Sequence, residues 1–160
     1  MRRAENVGET NVSTVDRLLR PLEQRLTAVP TDRPTAAERA LEIAQELRED
    51  PGWAPIKTLG QLTNDVLSTS RTVATTLTAS EPPPVGDRRY DAYIAAVVEH
   101  RFGQDAPGWV FTPSRYITPD EWVLNPAPDN PELEAIIRAE TPAAFARHGI
   151  YISSADLESA

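Results

Sequence analysis

Apolar positions recur at helical spacing through most of this chain. Val15, Leu18, Leu19, Leu22 and Leu26 fall on one helical face, behind Ser13 and Asp16 at capping-box spacing. Pro21 lies inside that pattern and is expected to kink or split the helix, because it lacks a backbone donor. After the breaker VPTDRP (29–34), Thr35 and Glu38 form a second capping box. The helix that follows carries Ala37, Ala40, Leu41, Ala44 and Leu47 as its apolar stripe and ends at Asp50-Pro51-Gly52. Trp53 and Ile56 are expected to fold back onto the core. Thr58 and Gln61 repeat the capping spacing, and Leu59, Leu62, Val66, Val73 and Leu77 continue a helical period. A break is expected near Ser68-Thr69-Ser70, where hydroxyls compete for backbone groups.

The stretch SEPPPVGD (80–87) is the sharpest punctuation. Consecutive prolines favour an extended segment, here read as a linker between two helical halves. Asp87 can cap the next helix, whose apolar face is Tyr90, Tyr93, Ile94, Val97, Val98 and Phe102, with Gly103 as its stop. Residues 104–129 form a long aromatic, proline-rich loop, of a length that is functional or packed by its own side chains. Thr118-Pro119 predicts a short helical turn. Asn130-Pro131 starts a helix that buries Leu133, Ile136 and Ile137, and Thr141-Pro142 starts another anchored by Phe145. Arg147 and His148 suit a last helical turn, where the dipole favours basic groups, and Gly149 suits a left-handed stop. Ile150-Tyr151-Ile152 reads as extended, and Ser153 with Asp156 caps a final short helix.

The expected fold is mainly α: a compact helical domain with a long aromatic and proline-rich loop, a short extended segment near the C-terminus and an N-terminal helical region. The boundaries read as a disordered leader over 1–11, an N-terminal helical region over 12–79, a linker over 80–87 and a C-terminal helical domain over 88–160.

Composition narrows the chemistry. The 160 residues contain no cysteine, which excludes disulfides and thiolate sites. No apolar run approaches the roughly 18 residues of a membrane span, and MRRAENVGET lacks the apolar stretch of a secretory signal, so a cytoplasmic protein away from membranes is expected. A net charge of −8 argues against a broad phosphate-facing surface. There is no GxSxG, phosphate loop or dinucleotide motif, and no cofactor is expected. Glu42/Glu46 and Glu132/Glu134 read as solvated helix faces. His100 and His148 lack a second histidine at metal-ligand spacing, so a metal is not expected. Were the two histidines to meet near Glu99 or Asp105, a small hydrolase or metal enzyme would follow, the third of three readings.

The second reading is a DNA-binding regulator. Residues 58–77 resemble a helix-turn-helix, with Ser70, Arg71, Thr72 and Val73 opening a recognition helix and Lys57 nearby. No glycine marks the turn, and Lys57 and Arg71 are the only cations in the stretch. The first reading is a protein-binding module. Trp109, Phe111, Arg115, Tyr116 and Trp122 share one irregular segment, and aromatics with arginine are common interface anchors.

From Glu81 onward, EPPPVGDRRYDAYIAAVVEH, APGWVFTPSRYI and TPAAFARHGIYISSADLE resemble a group of uncharacterised actinobacterial proteins. In that group a Pro-Pro-x-x-Gly-Asp segment leads to a helix ending Glu-His, then a Pro-x-Trp loop, then Thr/Ser-Pro-x-x-Phe-x-Arg-x-Gly-Ile. The likeness covers about half the chain and is loose over 118–129. Some members are similar to partners of nucleotidyltransferase-like toxins or are joined to helix-turn-helix domains. The resemblance therefore implies an antitoxin-like or regulatory partner of a toxin, and brings no catalytic residues with it.

Overall fold

Every residue from Tyr90 to Glu99 is buried in the computed structural model, which describes residues 21, 29–51, 54–124 and 126–158. These residues belong to one helix, Arg88–Phe102. Its apolar stripe was legible, but Ala92, Ala95 and Ala96 close off the opposite side as well. A helix covered on every side is a core helix, and alanine lets neighbours approach it closely, while the buried Asp91 and Glu99 need partners. The chain divides into two compact units, Met1–Pro30 and Thr31–Ala160, and only the second is described below. The leader, the helix expected from Ser13 onward (Pro21 apart) and Trp53 lie outside the described residues.

The second unit is mainly helical. In chain order it contains α1 (Ala36–Glu49), α2 (Ile56–Leu67), α3 (Arg71–Thr78) and α4 (Arg88–Phe102). Three short 3-10 turns follow at Gly103–Asp105, Gly108–Phe111 and Pro113–Arg115. Then come β1 (Trp122–Val123), α5 (Pro131–Glu140), α6 (Ala143–Arg147), β2 (Ile150–Tyr151) and α7 (Ser154–Glu158). α4 packs against α1, α2, α6 and β2. Ile43, Leu62, Val66, Ile94, Val97, Phe145 and Ile150 share one core.

The Thr35/Glu38 capping box opens α1 as expected. Asp87 caps α4 by accepting the Arg89 N–H, and Asn130 caps α5. Gly103 and Gly149 both take positive φ at helix ends. The two strands pair in parallel, with Trp122 opposite Ile150 and Val123 opposite Tyr151.

Several expectations are corrected. The division falls at Pro30/Thr31, not at 80–87, and residues on both sides of the proline run share the core. A polyproline backbone makes no internal hydrogen bonds. Here those groups are met from outside: the Val85 N–H donates to Asp91 Oδ1 at 3.1 Å, and the Pro82 carbonyl accepts from Arg115. Thr58 does not cap α2. The helix starts at Ile56, with Pro55 at the cap position, and the Thr58 hydroxyl donates to Glu46 on α1. Ile56, Leu41 and Ile136 are exposed rather than packed, while Ile43 and Ile137 take core positions. Thr118-Pro119 is a cis peptide in a turn leading to β1, not a turn of helix. The Thr141 hydroxyl donates to the Ile137 carbonyl at 2.7 Å and accepts the Ile152 N–H at 3.1 Å, and Pro142 stands at the α6 cap.

Candidate functional site

The loop over 104–129 is packed by its own side chains. Trp109 lies in the core, 8% exposed, and donates its indole N–H to the Thr78 carbonyl at 3.0 Å. Arg115 is 2% exposed, with its guanidinium 5.2 Å from the Trp109 ring centroid. It reaches Asp91 and Glu81, each at 3.3 Å, and the Pro82 carbonyl. Burial pushes the Asp91 carboxyl above its ordinary value, against the Val85 N–H and the Arg115 charge. Two of the expected partner-binding residues are thus internal ties between the loop, the proline run and α4. Phe111 is 41% exposed, and Tyr116 is half-buried.

His148 does more than end a helix. Its ring is fully buried and stacks on Tyr116, with centroids 4.5 Å apart and planes at 15°. Nδ1 lies 2.7 Å from the Arg115 carbonyl, an acceptor only, so Nδ1 carries a hydrogen. Nε2 lies 2.9 Å from Glu99 Oε2, and that contact needs one hydrogen between its atoms. Arg147 holds the other oxygen, Oε1, through Nε at 2.8 Å. Burial pushes the His148 imidazole below its ordinary value; the Arg115 carbonyl and Glu99 pull the other way. Both ring nitrogens are engaged inside the protein, so the arrangement fastens the loop to α4 and α6.

His100 does not join this cluster. It is exposed and turns edge-on to Phe145, with centroids 5.8 Å apart. Among the described residues, no group of three or more His, Asp or Glu is placed to hold a metal ion. No described helix is long and apolar enough to cross a membrane.

The helix-turn-helix residues are placed in part as that motif needs. A break at 68–70 separates α2 from α3, and Ser70 caps α3 just before Arg71. Arg71 is engaged, however. It pairs with Asp105 at 2.8 Å and lies over the Phe102 ring at 5.4 Å. Thr72 is exposed beside it. Lys57 opens α2, about 15 Å along its axis from the break.

A groove of about 610 Å³ opens between α2 and the segment around β1. Ile56, Leu59 and Gly60 form one wall, Trp122, Val123, Leu124 and Pro126 the other, and Tyr93, Ile152 and Asp156 complete the lining. Trp122 stands edge-on to Tyr90 at 5.3 Å, and Arg89 lies over its ring at 5.6 Å. The Tyr93 hydroxyl, at the groove's base, is 3.0 Å from Thr63 Oγ1. Backbone bonds hold the β1 wall in place, from Trp122 N to the Gly149 carbonyl at 2.9 Å and from Leu124 N to the Tyr151 carbonyl at 2.8 Å.

Of the expected anchors, Trp122 alone lines this groove. Ile56, Gly60, Leu124 and Ile152 were not foreseen as site residues, because the groove joins segments more than sixty positions apart. The chain matches no family model, no curated protein and no solved structure.

Proposed function

We propose that this chain is a non-enzymatic protein-interaction module that works in the cytoplasm as an antitoxin-like or regulatory partner of a toxin. The observation that carries the binding role is the groove: a concave, largely apolar surface with Ile56 left 56% exposed and Trp122 half-buried at its wall. A concave, mostly apolar surface with a few polar groups at its edge is the usual form of a binding site. The toxin partner is supported by the order of motifs from Glu81 onward. The Glu99–His148 pair supports a binding role over chemistry, since its polar atoms are used within the fold.

The test is capture of partners from the native host by the tagged chain, beside Ile56→Glu. That side chain is already exposed, so the variant is expected to fold. One stoichiometric protein, lost with Ile56→Glu at unchanged circular dichroism, is the expected result. Capture of nothing, or a partner kept by Ile56→Glu, removes the reading.

A second reading, DNA binding by residues 58–77, is favoured by the α2–break–α3 arrangement with Arg71 at the head of α3. Co-purifying DNA that Arg71→Ala abolishes would establish it in place of the first.

A further inference from the structure

Gly60 sits in the interior of α2, where glycine destabilises a helix relative to alanine. Neither of the usual reasons for a glycine applies. Its backbone is helical, and a Cβ built there would meet no atom of the described residues within 4 Å outside its own helix. Gly60 lines the groove one turn after the exposed Ile56, beside Leu59. Among the described residues, α2 therefore leaves a low, apolar strip uncovered. A residue without a side chain on a helix surface lets a second helix axis come nearer than the usual 8–10 Å allows. Among the described residues that line the groove, Asp156 is the one that carries a charge, in a chain of net charge −8.

We infer that the groove seats an amphipathic helix of a partner protein, its backbone close against Gly60 and a lysine or arginine turned to Asp156. This deepens the interaction reading above and rests on it. The seated helix presents an apolar stripe at positions i, i+3, i+4 and i+7, which fills the space between α2 and the Trp122–Leu124 wall. A side chain at position 60 holds that helix off while leaving the free fold intact.

The probe is a displayed library of 18-residue helices with a Leu/Ile/Ala stripe and a varied polar face, selected on the full chain. Enriched clones are expected to carry a basic residue beside the stripe. They are expected to lose at least tenfold in affinity for Gly60→Leu, which melts no lower than the natural chain, and to turn acidic when selected on Asp156→Lys. Clones that bind Gly60→Leu unchanged, or no enrichment at all, overturn the inference. So does a concentration-dependent dimer of the chain that Gly60→Leu abolishes, which gives the groove to a second copy. A host partner lost with Ile56→Glu but kept by Gly60→Leu removes the seated helix and leaves the interaction reading standing. Failure of the host capture removes that reading itself.

Discussion

Glu99 Oε2 lies 2.9 Å from His148 Nε2, forty-nine positions away in the chain, and both side chains are shut off from solvent. Taking away the ring leaves Glu99 Oε2 unmatched, although Arg147 still holds Oε1. His148→Ala should lower stability by about 3 kcal/mol, from the emptied ring volume, the unmatched Glu99 oxygen and a freed Arg115 carbonyl. Glu99→Gln keeps the shape and one hydrogen bond to the ring, and should cost less. Urea unfolding of both single variants and the double variant checks this. Additive losses would mean that the two residues do not act as a pair.

The same pair makes stability depend on pH. Burial holds the folded His148 pKa below the 6.5 of a free imidazole. A base depressed in this way contributes fully above the unfolded value, and its contribution is lost as pH falls from there through the folded value. The protein should therefore lose stability as pH falls through the ordinary histidine range and on toward the depressed folded value. Partial desolvation of the His100 ring, which lies against Phe145, pushes that group down too, so the comparison that isolates His148 is with His148→Gln, which should lose less. Because Glu99 pulls the ring upward, Glu99→Gln should lower the ring pKa further. A His148 resonance titrating above 6.5 would refute the account.

What could be read from the sequence was whatever its spacing encodes. The Thr35 and Asp87 caps, the glycine stops and the faces of α2 and α4 depend on residues within one or two turns; the face of α1 was read only in part, since Leu41 is exposed and Ile43 is buried. The Thr35–Glu38 box and Asp87 appear where expected. Thr58 misled because its hydroxyl is used across to Glu46, a tertiary demand that overrides local capping. SEPPPVGD looked like a linker because nothing nearby answers its backbone groups; Asp91 and Arg115 answer them from α4 and the third 3-10 turn. Arg147-His148-Gly149 was legible as a helix end, but the buried contact with Glu99 was not. The groove was hidden for the same reason, since it exists only once β1 is hung on β2 opposite α2.

Gly149 and Gly103 both stand at positive φ, but only one is crowded. A Cβ at Gly149 would sit 2.8 Å from Ile117 Cγ1 and 3.2 Å from the Asp120 carbonyl oxygen; at Gly103 it meets no described atom within 4 Å. Gly103→Ala should cost about 2 kcal/mol from backbone strain alone, since its ψ of −131° lies outside the left-handed helical well. Gly149→Ala adds overpacking and should cost about 3 kcal/mol. Thermal melts of the two variants measure the difference. Equal losses would show that the Ile117 turn yields freely to make room.

Trp109 and Phe111 are two positions apart and should respond oppositely. The Trp109 ring fills core volume, carries the Arg115 guanidinium and gives its N–H to Thr78, so Trp109→Ala should cost about 4 kcal/mol. Phe111 is 41% exposed and outside the core cluster, and Phe111→Ser should cost no more than about 1 kcal/mol. The contrast bears on any binding assay: a partner lost with Trp109→Ala reports a damaged fold, whereas one lost with Phe111→Ser reports a contact. Urea titrations followed by far-ultraviolet circular dichroism settle the point, since that signal does not depend on the tryptophan removed. A Trp109→Ala chain as stable as the natural one would mean that the loop's indole is not an anchor and would return Trp109 to the list of interface residues.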